Sequence, residues 1–369
     1  MSLKIMHTGD VHLGMKFNHY PEISNELEEA RFKALENVVK TANQKKCNIL
    51  AVAGDLFDKI NIKESEILKT IDILDKFAGD VILILPGNHD YSDQLNQLWQ
   101  KFKQHLRGRI LILDQEKVYP LADFGLEAAV YPAPCDSRLS ENNKLGWLKD
   151  SDKRDQYKFN IGLAHGALAG FSPDLNDSYF KMTKDELLSL EMDLWLLGHS
   201  HIPYPEFKSV KNHKIFNNGT PEPDGMDCSH PGYAWYIELA DNKAISAERI
   251  ITGNYHFSDL VFEVNSKSDL INAVGKIKAD SPENKILRLK LKGKLSRDDF
   301  RDKDKYLTEI RDKCFYAQID QKALNIKIDK ELIADEFAVN SFPYQLLTEL
   351  EDQDQALHLA YMMLKEVQK

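Results

Sequence analysis

The sequence predicts an α/β fold with a smaller α+β domain behind it. Three observations lead there. Up to about residue 250, short runs of Ile, Leu and Val alternate with stretches of helical period. Each of five such runs is closed by a short polar signature with a glycine in it or beside it. After about residue 256 the pattern changes to alternating strands and amphipathic helices.

The predicted strands are Lys4–His7, Ile49–Ala53, Val81–Leu85, Asn160–Ala164 and Leu194–Leu197. They are nearly continuous in apolar residues, as strands buried on both faces must be. Between the first two, Ile23, Leu27, Ala30, Ala34, Val38 and Ala42 recur at helical spacing. Ile67, Ile71, Leu74 and Ala78 predict a second helix, and Leu95, Leu98, Trp99, Phe102 and Leu106 a third. Thr183 and Glu186 have capping-box spacing and should start a helix before Leu187 and Leu188. Such alternation implies largely parallel strands at the start of the domain. Residues 132–158 and 203–232 are rich in Pro, Gly and polar residues and read as surface insertions.

In the second domain Leu260–Val264 reads as a strand and Leu270–Ile277 as a helix. Ile286–Leu291 alternates as a strand, Phe300–Cys314 reads as a helix, and Leu324, Ile326 and Ile328 alternate again. From Ser341 the tail predicts two short amphipathic helices separated by the acidic break Glu351–Asp354. The division expected is residues 1–255, a capping domain over 256–335, and a helical tail over 336–369.

Bulk composition sets outer limits. The chain has 369 residues, 43% of them hydrophobic and 29% charged, which suits a soluble protein with a sizeable core. No run reaches the ~18 apolar residues of a membrane span, and the opening Met1–Met6 runs straight into a strand, leaving no room for a signal peptide. Cys47, Cys135, Cys228 and Cys314 are widely spaced and form no CxxC pair, so a reduced cytoplasmic location is expected. The net charge of −10 argues against bulk attraction to nucleic acid.

The signatures carry the chemistry. They are Asp10-Val-His12, Gly54-Asp55, Gly87-Asn88-His89-Asp90, His165-Gly166 and Gly198-His199-Ser-His201. In open α/β sheets, sites form beyond the carboxyl ends of strands, and all five stand there. Carboxylates can bridge two cations, while imidazole and amide oxygen complete the shells of borderline metals such as manganese, iron or zinc. Two such ions can clamp a phosphate ester.

The set DxH…GDLFD…GNHD…HG…GHSH resembles the calcineurin-like metallophosphoesterase superfamily. Residues His7–Gly14 and Ala53–Asp58 are similar in particular to its DNA-repair exonuclease branch, the SbcD-type nucleases and their meiotic-recombination relatives. The resemblance implies a two-sheet α-β-β-α sandwich. It implies one metal held by Asp10, His12, Asp55 and His201, and a second by Asp55, Asn88, His165 and His199. Asp55 would be the bridge. His89 would steady or protonate the leaving group, with Asp90 orienting its ring. The implied cofactors are two divalent ions, manganese above all. The implied partners are DNA, a coiled-coil ATPase of the SbcC type, and a second copy of the chain as a homodimer, with no membrane.

Other features admit two readings. Lys285–Arg297 holds six basic residues and no acidic one. Arg288, Lys290 and Lys292 could track a phosphate backbone or could be a solvated strand face. Lys16 and His19, with Phe17 and Tyr20, could meet DNA beside the metals or form an ordinary loop. The tail helices could dock an ATPase or pack on their own domain. For the whole protein, the expectation is a two-metal phosphodiesterase acting on DNA. The alternatives are a phosphoesterase for nucleotides or other small esters, and a non-catalytic scaffold of the same fold.

Overall fold

Buried apolar strands set the architecture. The computed structural model describes residues 2–93, 95–150, 156–172, 178–280 and 282–367. The chain divides into two compact units, Met1–Phe257 and Ser258–Lys369. In the first unit the order is β1 (Leu3–Thr8), α1 (Ser24–Gln44), β2 (Ile49–Ala53), α2 (Glu64–Leu74), β3 (Val81–Leu85), α3 (Leu98–Gln104) and β4 (Ile110–Ile112). Then come β5 (Tyr119–Pro120), β6 (Ala128–Ala133), β7 (Phe159–His165), α4 (Lys184–Ser189), β8 (Leu194–Gly198), β9 (Pro203–Tyr204), β10 (Ser209–Lys211), β11 (Ile215–Asn218), β12 (Tyr233–Leu239) and β13 (Ile245–Ile251).

These strands form two sheets. The first has order β10-β13-β12-β1-β2-β3-β4 and the second β5-β6-β7-β8-β11-β9. In the first sheet β1, β2, β3 and β4 run parallel, and β12 pairs antiparallel with β1. In the second, β6, β7, β8 and β11 run parallel. Alternate side chains of each strand face opposite ways. Ile5, Ala51 and Leu83 of one sheet thus meet Val130, Ile161 and Leu196 of the other in a shared core. On the outer side of the first sheet Met6, Leu50, Val52 and Ile84 pack under Leu35 and Val38 of α1, Ile67 and Ile71 of α2, and Trp99 and Phe102 of α3. Tyr131, Trp195 and Leu197 pack with Leu187 and Leu190 outside the second. The result is the α-β-β-α sandwich expected. Thr183 caps α4, its side chain accepting from the Glu186 N–H at 3.1 Å.

Several details depart from the sequence reading. Helix α2 ends at Leu74, so Ala78 lies beyond it, and α3 starts only at Leu98, leaving Leu95 exposed. Neither 132–158 nor 203–232 is wholly a surface insertion. β6 runs through Pro132, and Leu145 and Leu148 are buried in the outer core of the second sheet. Residues 151–155 lie outside the described residues. Strand β11, with the polar sequence Ile-Phe-Asn-Asn, is buried throughout, and burial continues through Gly219–Pro223. Strands β12 and β13 extend the first sheet on the other side of β1, with β10 at its edge.

Strand β14 (His256–Glu263) begins at the end of the first unit and runs into the second, which carries α5 (Lys267–Lys278), β15 (Lys285–Leu295), α6 (Arg297–Lys313), β16 (Tyr316–Ile326), α7 (Lys330–Glu336), α8 (Phe342–Glu349) and α9 (Asp354–Val367). Strand β15 is central in a three-stranded sheet and runs parallel to β16. Leu287, Leu289 and Leu291 pack against Leu270, Val274, Leu307 and Ile310. Helices α7, α8 and α9 share their own small core of Ile333, Phe337, Leu347, Leu357 and Tyr361. Among the described residues no helix is long and apolar enough to cross a membrane. All four cysteines are buried and free.

Candidate metal centre

The loop after β1 and the loop after β2 are zipped together. The Asp10 N–H donates to Gly54 O at 3.0 Å, His12 N–H to Asp55 O at 2.9 Å, and Leu13 N–H to Leu56 O at 2.9 Å. Each loop turns sharply through left-handed backbone: φ is 51° at Asp10, 48° at His12 and 51° at Asp55. His199, at the end of β8, has φ 96°. A non-glycine residue in this region costs on the order of 1 kcal/mol, and such positions gather where geometry serves function. Two neighbouring glycines are obligatory. A Cβ on Gly54 would stand 2.1 Å from His165 Nδ1, and one on Gly87 would stand 2.2 Å from Asp55 Oδ1.

The side chains so presented converge. Asp55 Oδ2 lies 3.3 Å from His165 Nε2 and 3.8 Å from His12 Nε2, so one carboxylate faces an imidazole on either side. His12 Nε2 and His201 Nε2 stand 3.2 Å apart, and His201 Nε2 is 3.9 Å from Asp10 Oδ1. On the other side Asn88 Oδ1 is 2.9 Å from His165 Nε2 and 3.1 Å from His199 Nδ1. Three trios have donor atoms within 4.8 Å of one another: Asp10, His12 and His201; Asp10, Asp55 and His165; and His12, Asp55 and His89. Converging imidazole nitrogens and carboxylate oxygens, buried and facing one another, suit divalent cations.

The bonds behind these groups aim them. His165 Nδ1 donates to Ala53 O at 2.8 Å, and His201 Nδ1 donates to the Asp224 carboxylate at 2.8 Å. Each bond turns Nε2 toward the centre. The Asp10 carboxylate accepts the His199 N–H on both oxygens, at 3.0 and 2.9 Å. Asn218 Nδ2 donates to Gly9 O at 2.9 Å, and the Thr220 hydroxyl to Asp10 O at 2.9 Å. Arg31 is fully buried, donates to Val11 O at 2.8 Å and lies 3.9 Å from Asp224.

Electrostatics follow from this packing. Burial pushes the Asp10 carboxyl up, against the pull of His165 and His201. Burial also opposes charge on Asp55, but His165 and His12 outweigh it and hold that carboxyl below the usual range. His165 rises to about 9, because Asp55 and Asp10 overcome the cost of its burial. His201 rises to about 9 in the same way, through Asp224. Burial lowers His7 to about 3; this neighbour of the centre is neutral and donates from Nε2 to Leu197 O at 3.1 Å.

His89 is half-buried, its ring edge-on to His12 at 4.7 Å between centroids. Its Nδ1 donates to the backbone oxygen of Asp58 at 3.0 Å. The expectation that Asp90 orients this ring is therefore corrected. The Asp90 carboxylate instead accepts the Gly87 N–H at 2.7 Å and the Phe57 N–H at 3.0 Å, bracing the two loops. Burial, then the Asp55 charge, pushes it up to about 7.

The residues considered for nucleic acid are exposed, and several are paired with acidic side chains. Lys16 is exposed and pairs with Glu28; His19 is exposed. On β15, Arg288, Lys290 and Lys292 are exposed, with Arg288 paired to Asp259 and Lys292 3.6 Å from Glu263, both on β14. Lys285, from the same basic run, is buried and bonded to Asp280 at 2.6 Å. The sequence reading missed Asp58, Asp224, Asn218, Thr220 and Arg31. Of these only Asp58 lies within a recognised signature, while Asn218, Thr220 and Asp224 sit in a stretch whose prolines and glycines suggested a surface loop.

A calcineurin-like phosphoesterase domain is found at residues 3–203, over half of the chain, and the protein belongs to that family. The family implies divalent metal ions, and the side chains above are the donors this chain brings together. It is 28% identical over 208 residues to the uncharacterized metallophosphoesterase YhaO of Bacillus subtilis (strain 168), covering 54% of this chain and 48% of that protein. It is 24% identical over 222 residues to the SbcD component of the SbcCD nuclease of Staphylococcus saprophyticus, covering 55% and 57%. It is 34% identical over 111 residues to the DNA double-strand break repair protein Mre11 of Methanosarcina mazei, covering 29% and 17%. The chain spans about half the length of the first two relatives and less of the third.

Proposed function

We propose that this protein is a two-metal phosphodiesterase acting on DNA, an exonuclease or end-processing nuclease of DNA repair. The observation that carries the reading is Asp55, whose one oxygen faces His165 at 3.3 Å and His12 at 3.8 Å. Asp10, His12, Asp55 and His201 would hold one ion, and Asp55, Asn88, His165 and His199 the other. When bound, the ions, manganese in our reading, supply Lewis-acid activation of phosphate and water. The chain does the rest. Asp224 and the Ala53 carbonyl fix the two imidazoles in the tautomer that faces inward. His89, held through Nδ1, keeps Nε2 for holding or delivering a proton at the leaving oxygen. The names of the SbcCD nuclease and the Mre11 double-strand break repair relatives support DNA as substrate. A coiled-coil ATPase and a second copy of the chain as partners belong to the same reading and rest on the resemblance of the signatures alone.

The test is digestion with manganese of end-labelled linear duplex beside circular single-stranded DNA. The expected result is cleavage that starts from ends. Inactivity on both, with turnover of a chromogenic phosphodiester, would favour a small-ester enzyme.

A further inference from the structure

We propose that the cleft beside His199 and His201 is a nucleotide subsite, and that Arg249 in it receives the phosphate next to the scissile one. This rests on the phosphodiesterase reading above. The cleft holds about 530 Å³, within the ~300–1,000 Å³ usual for small-molecule sites. Its lining includes His199 and His201, so it opens directly on the candidate centre. Tyr179, Ser200, His230 and Arg249 form other parts of its wall.

Arg249 is anchored and pre-aimed. Its guanidinium lies over the Tyr233 ring at 5.2 Å and the Trp235 ring at 5.5 Å. Its Nε donates to Phe207 O at 3.3 Å. Among the described residues no carboxylate forms an ion pair with it, and its two terminal nitrogens make no hydrogen bond. A planar fork with two terminal NH2 groups available to donate, on a stem fixed by stacking, matches a phosphate oxygen pair. The wall beside it is fixed too. His230 Nε2 donates to His201 O at 2.6 Å, its Nδ1 accepts the Gly232 N–H at 3.1 Å, and its ring stacks on Tyr233 at 5.2 Å. Arginine and a histidine ligand backbone therefore share one aromatic platform.

Glu206 and Asp227 also line the cleft. Their carboxylates can accept N–H or O–H groups of base and sugar, and the charge of Glu206 acts on Arg249 without an ion pair to it. A chain of net charge −10 with no bulk attraction for DNA needs a local contact of the kind Arg249 offers. A substrate with one phosphate would leave Arg249 unused; one with a neighbouring phosphate would engage it in ground and transition state alike, and lower KM more than it raises kcat.

The experiment compares thymidine dinucleotides with and without an additional 5′- or 3′-terminal phosphate, cleaved by the full chain in manganese. Wild type should prefer a phosphorylated form by about tenfold or more in kcat/KM, chiefly through KM. Arg249→Ala should abolish most of that preference, and Arg249→Lys, which keeps stem and charge, should retain part of it. Arg249→Lys also serves if Arg249→Ala fails to fold. Preference kept in either variant at the wild-type level, or absent in wild type, overturns the subsite while leaving the phosphodiesterase reading intact. Wild type that cleaves no dinucleotide and no DNA overturns both.

Discussion

The two units treat polar groups in opposite ways. In Met1–Phe257, Asp10, Asp55, Asn88, Arg31, Asn218, Thr220 and Glu222 are all buried. In Ser258–Lys369, Lys285 alone among the described residues is a buried charged or polar residue. Burying such groups costs several kcal/mol unless each is bonded. Most of those in the first unit gather at one set of strand ends, where the candidate metal donors stand. In the second unit, Arg288 and Lys292 lie at the surface opposite Asp259 and Glu263. Exposed pairs of that kind contribute little, and their removal is tolerated.

The contrast can be broken most forcefully at Asp55. Asp55→Ala should lower phosphodiester turnover about a thousandfold or more, equivalent to about 4 kcal/mol of transition-state stabilisation. Steady-state kinetics in manganese would show it, and a modest loss would mean that the buried carboxylate is structural. His89→Ala should cost about 10²–10⁴-fold in kcat with bound metal unchanged if this side chain has the proton role proposed for it rather than a ligand role. Near-normal turnover would refute that assignment.

Asp224→Asn sharpens the comparison within the first unit. It should weaken manganese affinity about 10–100-fold by calorimetry, because Nδ1 of His201 loses its carboxylate. Unchanged affinity would leave Asp224 a bystander. His7 gives a pH signature. Folded His7 stays neutral down to about pH 3, whereas an unfolded imidazole titrates near ~6.5. Protons therefore bind the unfolded chain preferentially, and stability falls as pH drops below ~6.5. Between pH 7 and 5 the loss from His7 should be about 2 kcal/mol. His7→Gln, which can still donate to Leu197 O, should flatten that slope in chemical denaturation. The smallest effect belongs to the second unit. Lys290→Glu with Lys292→Glu should change DNA affinity by no more than about twofold and leave its salt slope unaltered. A large change would return β15 to consideration as a phosphate track.

How much could be read in advance follows the same divide between local and long-range information. Continuous runs such as Val81–Leu85 announce buried parallel strands because both their faces are apolar. The signature residues were visible because each is tied to the end of such a run. β11 was not, since Asn217 and Asn218 look solvent-exposed until their partners are known. Asn218 reaches Gly9, 209 residues earlier, and no local pattern records that bond. The role first given to Asp90 failed for a related reason: adjacency in sequence to His89 does not place its carboxylate at the ring, and two backbone N–H groups claim it. The basic run of β15 was plain in sequence, but the acids of β14 that face it were not.

The central claim is that one carboxylate joins two ions. Manganese bound per chain, counted by elemental analysis after equilibrium dialysis, addresses it directly in wild type and in Asp55→Asn. Wild type should hold two ions, and binding at both positions should be impaired in the variant. Wild type that retains a single ion or none, or a variant that still holds two at the same concentrations, would contradict it.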